Sequence, residues 1–599
     1  MPVSSPNANL SKEDYAKLAD RGLSFASRFG VRKRPLPQPH LPKPDWSKIA
    51  SRGNLIAGLA VGVYLIPQAM AYGELAGIGP AAGLAMAIIP LLLYPLLGAS
   101  RFATVGPESA VALLAAVTVA PIALANPGAG LTIMATLTFL VGIAMIIARL
   151  LRAGAFADLL SRPALLGYMM GIASLLALSQ FPKLVNENVE TTSLPALVSS
   201  WIEVGSLSAN WVNIGIVATV LVSALGIRRF IPRVPAIPVS LLIASLLGVA
   251  LNAETIGRIA SPIPTGLVLP SFGLVSQLLL PALAVTIVAC TGSVLTTRAF
   301  AAPGERVNVN RELAAWGTIG ILNSFTGAYP SSTSASRTAI AVSSGASNRF
   351  YSWPALLVML GLTLAFPGAL GMIPTAALAG VVMYAALQLV DIGALIDLAR
   401  FRFREVALAA TAAIGVLTVG VLPGIGITVA LSVGELIMRL MRPHEAVLGF
   451  VPGIAGMHDI DDHEKAQQIP GLLVFRYDAP LFFANANDFR TQVMDQVEAR
   501  PGTEWLILNM EANVEVDTSG LDALEQLHAD LEGAGIHLVL ARVKNDLRIP
   551  MERYGTWDLV GVENIFPELD IAVDAYCEYS GKSLPKAAHD DGPGPFPAE

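Results

Sequence analysis

Charged residues and cysteines are both scarce in this sequence. Only 14% of the 599 residues are Asp, Glu, Lys or Arg, whereas 54% are hydrophobic. So low a charge content excludes an ordinary soluble multidomain protein. The two cysteines, Cys290 in an apolar stretch and Cys577 near the end of the chain, do not have the spacing of a disulfide framework or a metal site. Most of the chain must therefore contact lipid.

Catalytic and targeting motifs are missing as well. The sequence holds no cluster of metal ligands, no nucleophile triad and no glycine-rich phosphate loop, so we expect neither an enzyme nor a cofactor, and no nucleic-acid partner. The first residues lack the charged n-region, apolar h-region and cleavage site of a signal peptide. Residues 1–52 are instead polar, basic and rich in proline. We interpret them as a cytosolic arm.

Apolar stretches without any charge dominate the next 390 or so positions. Each is long enough for the roughly 20 residues of a spanning helix, and the same length rule predicts about fourteen spans. These stretches cover residues 53–73, 75–100, 163–182, 234–253, 350–390 and 406–434. The fold class predicted here is an α-helical polytopic membrane protein with a soluble C-terminal domain.

Charged residues become frequent near residue 443, which indicates a domain boundary. Strand patterns at 471–477, 505–510 and 536–541 alternate with helical patterns at 487–499 and 519–534. This alternation is typical of a layered α/β domain. The predicted division is a transmembrane domain over 53–442, a linker over 443–468, a cytosolic α/β domain over 469–580 and a disordered tail over 581–599.

Arginine recurs in every second predicted loop, beginning with Arg101. The alternate loops carry only Lys183 and Arg258 as positive charges. Because loops rich in Lys and Arg stay on the cytoplasmic side, both termini are predicted to be cytosolic. The chain is then a multi-pass protein of the plasma membrane, the inner membrane of a bacterial cell.

Two short polar segments interrupt the apolar helices. In the first, over 103–109, Gly106 and Pro107 precede an apolar helix that also carries Glu108. The second, over 328–337, is rich in hydroxyl groups and ends at Arg337. Irregular backbone at membrane depth is tolerated only in protein or around a water-filled cavity. The N-terminus of a half-helix there favours an anion, so we predict two facing half-helices around a small anion.

Several motifs resemble those of the SulP family of anion transporters, which includes sulfate permeases, bicarbonate transporters and the animal anion exchangers with prestin. The family signature is similar to IPQAMAYGELAG at 66–77. Further similar stretches are GASR and VGP at 98–107, VNREL at 309–313 and SASRTA at 334–339. The resemblance extends over about residues 51–577.

The resemblance implies a fold and a binding site. The fold is an inverted repeat of seven plus seven spans, shared with the uracil transporter, in which a core domain moves against a gate domain. Members are typically homodimers embedded in membrane lipid. The family's anion lies between the N-termini of the third and tenth spans, which here are Gly106, Pro107, Glu108, Ser109, Ser334, Ala335, Ser336 and Arg337.

Individual residues of this site each allow a second interpretation. Arg337 is predicted to bind the anion, although a topological role is the alternative. Ser334 and Ser336 can cap the second half-helix, contact the anion, or do both. Gln68 and Tyr72 share one helical face. Gln68 is expected to donate to the anion while Tyr72 lines the cavity, and helix packing is the alternative.

Glu108 is the residue that fits an anion site least. A carboxylate beside an anion repels it unless it is protonated or paired, so we predict that Glu108 carries a coupling proton or bridges Arg337 in the empty site. The alternative is a carboxylate that caps its own helix. Gly292 stands where many relatives carry a carboxylate, which leaves only neutral oxygens from Thr286, Ser293, Thr296 and Thr297 for sodium. Proton coupling is therefore preferred to sodium coupling.

The C-terminal domain resembles the STAS domain that follows SulP transporters and the sporulation anti-sigma-factor antagonists. Its VDTSGL stretch at 516–521 joins a strand to a helix. Ser519 matches the serine that is phosphorylated in the antagonists, which implies a regulatory role. The alternative is that Ser519 caps the helix. The domain is also a candidate site for a cytosolic protein partner.

Sulfate transport with a proton is the preferred function. Bicarbonate or C4-dicarboxylate transport, coupled to protons or sodium, and anion exchange remain alternatives, because a half-helix pair with one arginine suits any small anion. A sensor or scaffold that binds an anion and signals through the STAS-like domain belongs to another class. A nucleobase transporter would share the fold, but it would not usually carry a STAS domain or the Ser336-Arg337 pair.

Overall fold

The computed structural model describes residues 51–152, 161–185, 193–204, 209–231, 234–257, 266–302, 304–452 and 454–584. Most of the predicted N-terminal arm and C-terminal tail, and Arg258, lie outside the described residues. The chain divides into two compact units. The first comprises Met1–Ala157, Ala173–Thr192 and Ala196–Gln388, and the second comprises Asp158–Ile172, Ser193–Pro195 and Leu389–Glu599.

In the described residues before 390, helices account for nearly all regular structure, and two very short strands interrupt them. In chain order these elements are α1 (Arg52–Leu75), α2 (Pro80–Ala85), α3 (Ile88–Leu97), β1 (Val105–Gly106), α4 (Ser109–Ala125), α5 (Gly130–Leu150), α6 (Arg162–Leu178), α7 (Leu194–Val204), α8 (Trp211–Phe230), α9 (Ala236–Ala250), α10 (Val275–Ala299), α11 (Val309–Ser324), β2 (Ser332–Thr333), α12 (Ala335–Ser343), α13 (Ser352–Ala365), α14 (Pro367–Gly371) and α15 (Thr375–Leu389).

Within the second unit, three more helices precede an α/β domain: α16 (Ile392–Phe401), α17 (Phe403–Val419) and α18 (Val421–Met441). Glycine allows close packing here, because a Cβ atom on Gly167 of α6 would lie 1.9 Å from the carbonyl oxygen of Ala409 on α17. Small residues serve this purpose at helix interfaces in membranes.

By length and composition, eight helical segments of the described chain can cross a membrane, and three apolar helices are shorter. The broken helices fall below the length of a full span, since α12 has only 9 residues. The number of about fourteen spans, which came from hydrophobic length alone, stays a prediction.

The α/β domain contains a six-stranded sheet of order β4-β3-β5-β6-β7-β8. Its elements are β3 (Glu445–Phe450), β4 (Met457–Asp459), β5 (Leu472–Tyr477), α19 (Ala486–Glu498), β6 (Trp505–Asn509), α20 (Thr518–Gly533), β7 (His537–Ala541), α21 (Asn545–Tyr554), α22 (Thr556–Val560), β8 (Ile565–Phe566) and α23 (Leu569–Ser580). The strands from β5 to β8 are parallel, and β3 is antiparallel to both β4 and β5. The three strands and two helices predicted from the sequence are all present, with bounds that differ by at most one residue.

Alternating side chains of the central strands build two hydrophobic layers. Leu473 and Phe475 of β5 lie in the layer that contains Phe489 of α19 and Leu527 of α20. Val474 lies in the opposite layer with residues of α23. The segment 443–468, expected as a linker, supplies β3 and β4 to the same sheet.

Candidate functional site

The two short strands lie side by side in the first unit, and each leads into a broken helix. β1 pairs antiparallel with β2, so that Val105 lies opposite Thr333 and Gly106 opposite Ser332. The Ser334 amide extends this pairing by donating to the carbonyl of Thr104 at 2.9 Å. The structure thus brings the two predicted breaks together.

Helix α4 begins directly after β1, and a carboxylate caps it. Pro107 and Ser109 are buried, and Glu108 between them is the N-cap residue. Its Oε1 and Oε2 accept hydrogen bonds from the amides of Ala110 (3.1 Å) and Val111 (3.0 Å). A negative charge at this end of a helix is favourable. Glu108 therefore adopts the capping role that the sequence left open as the alternative.

Helix α12 begins directly after β2, with Ser334 as its N-cap residue. Ser334 Oγ accepts a hydrogen bond from the Arg337 amide at 3.4 Å and lies 3.2 Å from Ser336 Oγ. The predicted capping by Ser334 is confirmed. Ala335 is exposed, and Ser336 and Glu108 are half-buried. This side of the junction is therefore open.

Arg337, in the first turn of α12, is completely buried, with 0% of its surface exposed. Its Nη1 donates to Gln68 Oε1 at 3.2 Å, and Gln68 Nε2 donates to the Tyr72 hydroxyl at 3.4 Å. Nε and Nη2 of Arg337 have no hydrogen-bond partner among the described residues. A Cβ atom on Gly106 would lie 3.6 Å from Nη2. The guanidinium therefore lies beside the backbone of β1, and it contacts Gln68 rather than forming the bridge to Glu108.

Three hydroxyl groups in the segment before α12 also lack partners. Tyr329 is buried and lies close to Arg337 and Glu108. Its hydroxyl, and those of Ser331 and Thr333, have no hydrogen-bond partner in the described part of the chain. None of the three is among the predicted site residues. The sequence does show that this segment is rich in hydroxyl groups, but it does not show which of those hydroxyls lie at the site.

Helix α10 supports β2 from the side. Ser293 Oγ accepts a hydrogen bond from the Thr333 amide at 3.0 Å and lies 3.0 Å from Ser332 Oγ. Thr286 and Thr297 donate their hydroxyls to carbonyls of α10 itself. These hydroxyl oxygens carry no formal negative charge for a cation.

Thr338 of α12 and Tyr351 hold the segment that leads into β1. Thr338 Oγ1 on α12 accepts a hydrogen bond from the Thr104 amide at 3.1 Å. The Tyr351 hydroxyl, just before α13, donates to the Phe102 carbonyl at 2.7 Å and also contacts Thr104 Oγ1. The backbone beside Arg337 is thus held from several directions.

This junction combines the features that an oxyanion requires. A buried charge without a partner costs several kcal/mol, so the Arg337 guanidinium is stabilised by any anion that reaches it. A guanidinium can offer two parallel N–H groups to an oxyanion. The unpartnered hydroxyls add neutral donors, and the N-terminus of α12 adds a partial positive charge.

Comparison with known proteins identifies the larger framework of this site. Residues 52–412 match the sulfate permease family, and residues 464–572 match the STAS domain. The chain belongs to the sulfate permease family. The predicted family membership is thereby confirmed, and with it the prediction of a transporter rather than an enzyme. The resemblance of the tail to a STAS domain is confirmed as well.

Curated relatives of this sulfate permease family member align over most of their length. The probable sulfate transporter Rv1739c of Mycobacterium tuberculosis is 44% identical over 533 residues, which cover 88% of this chain and 95% of the relative. Sulfate transporter 1.3 of Arabidopsis thaliana is 32% identical over 559 residues, which cover 88% of this chain and 84% of the relative.

Solved structures share the fold. The overall structure of SLC26A9 has a TM-score of 0.80 and 19% identity, covering 97% of this chain and 98% of that one. The transmembrane domain of the cyanobacterial bicarbonate transporter BicA has a TM-score of 0.55 and 21% identity, covering 64% of this chain and 97% of that one. The predicted class, a helical membrane protein with a C-terminal STAS domain, is confirmed.

Ser519 does not cap its helix, so the alternative interpretation of this serine is wrong. The N-cap residue of α20 is Asp517. Its Oδ1 accepts a hydrogen bond from the Gly520 amide at 2.9 Å, and its Oδ2 accepts one from the Phe483 amide at 2.8 Å. The helix therefore begins at Thr518, and Ser519 is its second residue, half-buried. Its predicted regulatory role does not depend on capping.

Proposed function

We propose that this protein is a secondary active transporter that carries sulfate, together with a proton, across the plasma membrane by alternating access. The anion binds between the N-termini of α4 and α12, at residues 106–109 and 334–337. Arg337 is the principal ligand, and the aromatic ring of Tyr72 lines the site. Gln68 orients the guanidinium of Arg337.

The observation that carries this proposal is the state of Arg337. The guanidinium is fully buried, and among the described residues its side-chain hydrogen-bond partner is the amide of Gln68, which carries no charge to neutralise it. Ionisable residues inside a membrane domain are costly and mark substrate or ion pathways. Two unpartnered nitrogens, Nε and Nη2, remain to bind an oxyanion.

Sulfate fits the donors of this junction. A tetrahedral dianion accepts hydrogen bonds in several directions, and the candidate donors lie on both β2 and α12. The names of the relatives favour the same anion, since the mycobacterial and Arabidopsis proteins described above are both sulfate transporters by name. A dianion also gains more than a monoanion from a single buried guanidinium.

Glu108 supplies a physical reason for proton coupling. Its carboxylate occupies the amides of Ala110 and Val111, which an anion at the N-terminus of α4 would otherwise use. Protonation removes the negative charge and weakens these bonds, because hydrogen bonds to a charged group are the stronger ones. Protonation of Glu108 therefore raises the affinity for an anion beside Arg337, and a bound anion raises the affinity of Glu108 for a proton. Symport requires this mutual stabilisation.

Arginines at helix ends support the proposed orientation with both termini in the cytosol. Arg149, Arg228 and Arg298 lie in the last turns of α5, α8 and α10. If the spans number fourteen, these helices are the fourth, sixth and eighth, and their ends share one side of the membrane. The homodimer, the cytosolic partner of the STAS domain and the phosphorylation of Ser519 are further parts of the proposal, and family resemblance supports them.

Uptake by proteoliposomes that contain the full-length protein tests this function. Labelled sulfate, bicarbonate and succinate are each supplied with no gradient, with an inward proton gradient and with an inward sodium gradient. We expect concentrative uptake of sulfate driven by the proton gradient. Uptake driven only by sodium, or a preference for another anion, would contradict the coupling or the substrate. Anion binding without any uptake would favour a sensor or scaffold.

A further inference from the structure

A second buried charge, the carboxylate of Glu312, lies outside the candidate anion site. Glu312 belongs to the first turn of α11 and is 0% exposed. Its Oε1 accepts hydrogen bonds from the amides of Ala99 (2.8 Å) and Ser100 (2.5 Å). The Tyr94 hydroxyl donates to Oε1 at 3.0 Å and to Oε2 at 3.1 Å. Three donors therefore satisfy a charge whose burial would otherwise be costly.

The helix that carries Glu312 is packed closely against its neighbours. On α11, a Cβ atom at Gly317 would lie 2.8 Å from the Gly142 carbonyl of α5, and one at Gly142 would lie 2.8 Å from the Ile321 amide. Asn323, near the end of α11, donates to the Met86 carbonyl at 3.1 Å. Such contacts give α11 little freedom to shift, so Glu312 is a fixed point in the first unit.

The chain from Glu312's partners to the anion site is short. Ser100 precedes Val105, the first residue of β1, by five positions, a span of at most about 17 Å when extended. Within this stretch the carbonyl of Phe102 and the amide of Thr104 are already held by Tyr351 and Thr338. The Ala99–Ser100 turn is thus one of three anchors along this stretch, and a shift of the turn strains the other two and the strand that follows them.

Strand β1 needs such outside support. It has two residues and pairs only with the two residues of β2. Two-stranded pairings are marginal by themselves even when they are much longer. The position of β1 is therefore set by α4 on one side and, on the other, by residues 99–104, which Glu312, Tyr351 and Thr338 hold.

We propose that Glu312 is a positioning residue for anion binding: its carboxylate fixes the Ala99–Ser100 turn and thereby holds the Gly106 backbone beside Arg337. The inference rests on the proposed anion site. The positioning role also explains why the fold brings two stretches outside the site, 98–101 and 309–313, into direct contact.

The test compares transport kinetics of full-length variants in proteoliposomes, with the anion that the wild type transports best among sulfate, bicarbonate and succinate. Glu312→Gln keeps the size of the side chain but removes the charge, which weakens its bonds to both amides. We expect the KM to rise at least about tenfold, equivalent to about 1.4 kcal/mol. Tyr94→Phe removes one donor and leaves both amide bonds, so its KM should rise only about twofold to threefold.

A matched control is Glu305→Gln. The Glu305 carboxylate also accepts a hydrogen bond from a backbone amide, that of Ala302 at 2.8 Å, but in the loop before α11. Its KM should equal that of the wild type. An unchanged KM for Glu312→Gln, accompanied only by a lower Tm, would overturn the positioning role. If Glu312→Gln does not fold, an unchanged KM for Tyr94→Phe would overturn the positioning role instead.

A failure of anion transport can be distinguished from a failure of the positioning role of Glu312. If the wild type transports none of the three anions, the proposed function fails. The same variants are then compared by the Kd for sulfate from isothermal titration calorimetry. A Kd weakened about tenfold in Glu312→Gln, by the same conversion, supports the positioning role, and an equal Kd, or no sulfate binding by the wild type, overturns it.

Discussion

Arg337 donates a hydrogen bond from Nη1 to Oε1 of Gln68 at 3.2 Å, which joins the first turn of α12 to α1. The amide nitrogen of Gln68 donates to the Tyr72 hydroxyl at 3.4 Å, so both ends of the amide have partners. This differs from the expectation that Gln68 donates directly to the anion. Gln68 instead holds the guanidinium in place and leaves Nε and Nη2 for a ligand.

Replacing Gln68 by glutamate therefore provides a direct test of this arrangement. In Gln68→Glu the new carboxylate lies opposite the guanidinium and forms a buried ion pair, which competes with the substrate anion. We expect the KM for sulfate to rise at least about tenfold, since charged hydrogen bonds contribute about 1.5–3 kcal/mol. Gln68→Leu is the control, because it removes the contact without adding charge, and its effect should be smaller.

The KM for sulfate of both variants is measured from initial uptake rates in proteoliposomes and compared with that of the wild type. A KM for Gln68→Glu equal to that of the wild type would mean that the anion does not bind at Arg337.

The pH dependence of transport tests Glu108. If Glu108 carries the coupling proton, wild-type uptake rises as the external pH falls. Glutamine imitates the protonated side chain, so uptake by Glu108→Gln should be independent of external pH. Glu74→Gln is a suitable control, because Glu74 lies in the last turn of α1 and its Oε1 is 3.8 Å from Lys183 Nζ, so its carboxylate does not cap a half-helix. A wild-type pH profile for Glu108→Gln would remove the coupling role.

The sequence predicts the two breaks well, because their residues cannot form an ordinary lipid-facing helix. Gly106 and Pro107 interrupt helical hydrogen bonding, and the hydroxyl-rich stretch before Arg337 is too polar for lipid. It does not predict the pairing of β1 with β2, because two-residue strands have no periodic pattern. Nor does it predict the contact between Glu312 and Ala99, which are 213 positions apart.

The C-terminal domain shows a similar division. The central strands are long and rich in branched apolar residues, so their pattern is recognisable in the sequence. β3 and β4 are harder to predict, because they follow a membrane helix directly and are surrounded by charged residues. The sequence alone does not identify the cap of α20, because Asp517, Thr518 and Ser519 are all good N-cap residues. Only the fold shows that Asp517 also reaches the Phe483 amide.

Asp517 and Ser519 are thus expected to differ in their effect on stability. Asp517→Ala removes the acceptor for two amides and should destabilise the start of α20 by about 1 kcal/mol. Ser519→Ala should have little effect, because Ser519 is not the cap. Hydrogen exchange of the α20 amides in the full-length protein measures the difference. Equal exchange in the two variants would contradict the assignment of the cap.

The central claim is that the anion binds at Arg337, and Arg337→Lys tests it most directly. Lysine keeps the charge but loses the planar pair of N–H groups, so the change is not conservative at a site of this kind. Arg490→Lys is the control, because Arg490 lies in the STAS domain, where its Nε donates to Asp530 Oδ2 at 2.6 Å. We predict that proton-driven uptake of labelled sulfate falls to background in Arg337→Lys and is unchanged in Arg490→Lys. Uptake by Arg337→Lys with the wild-type KM would contradict the account.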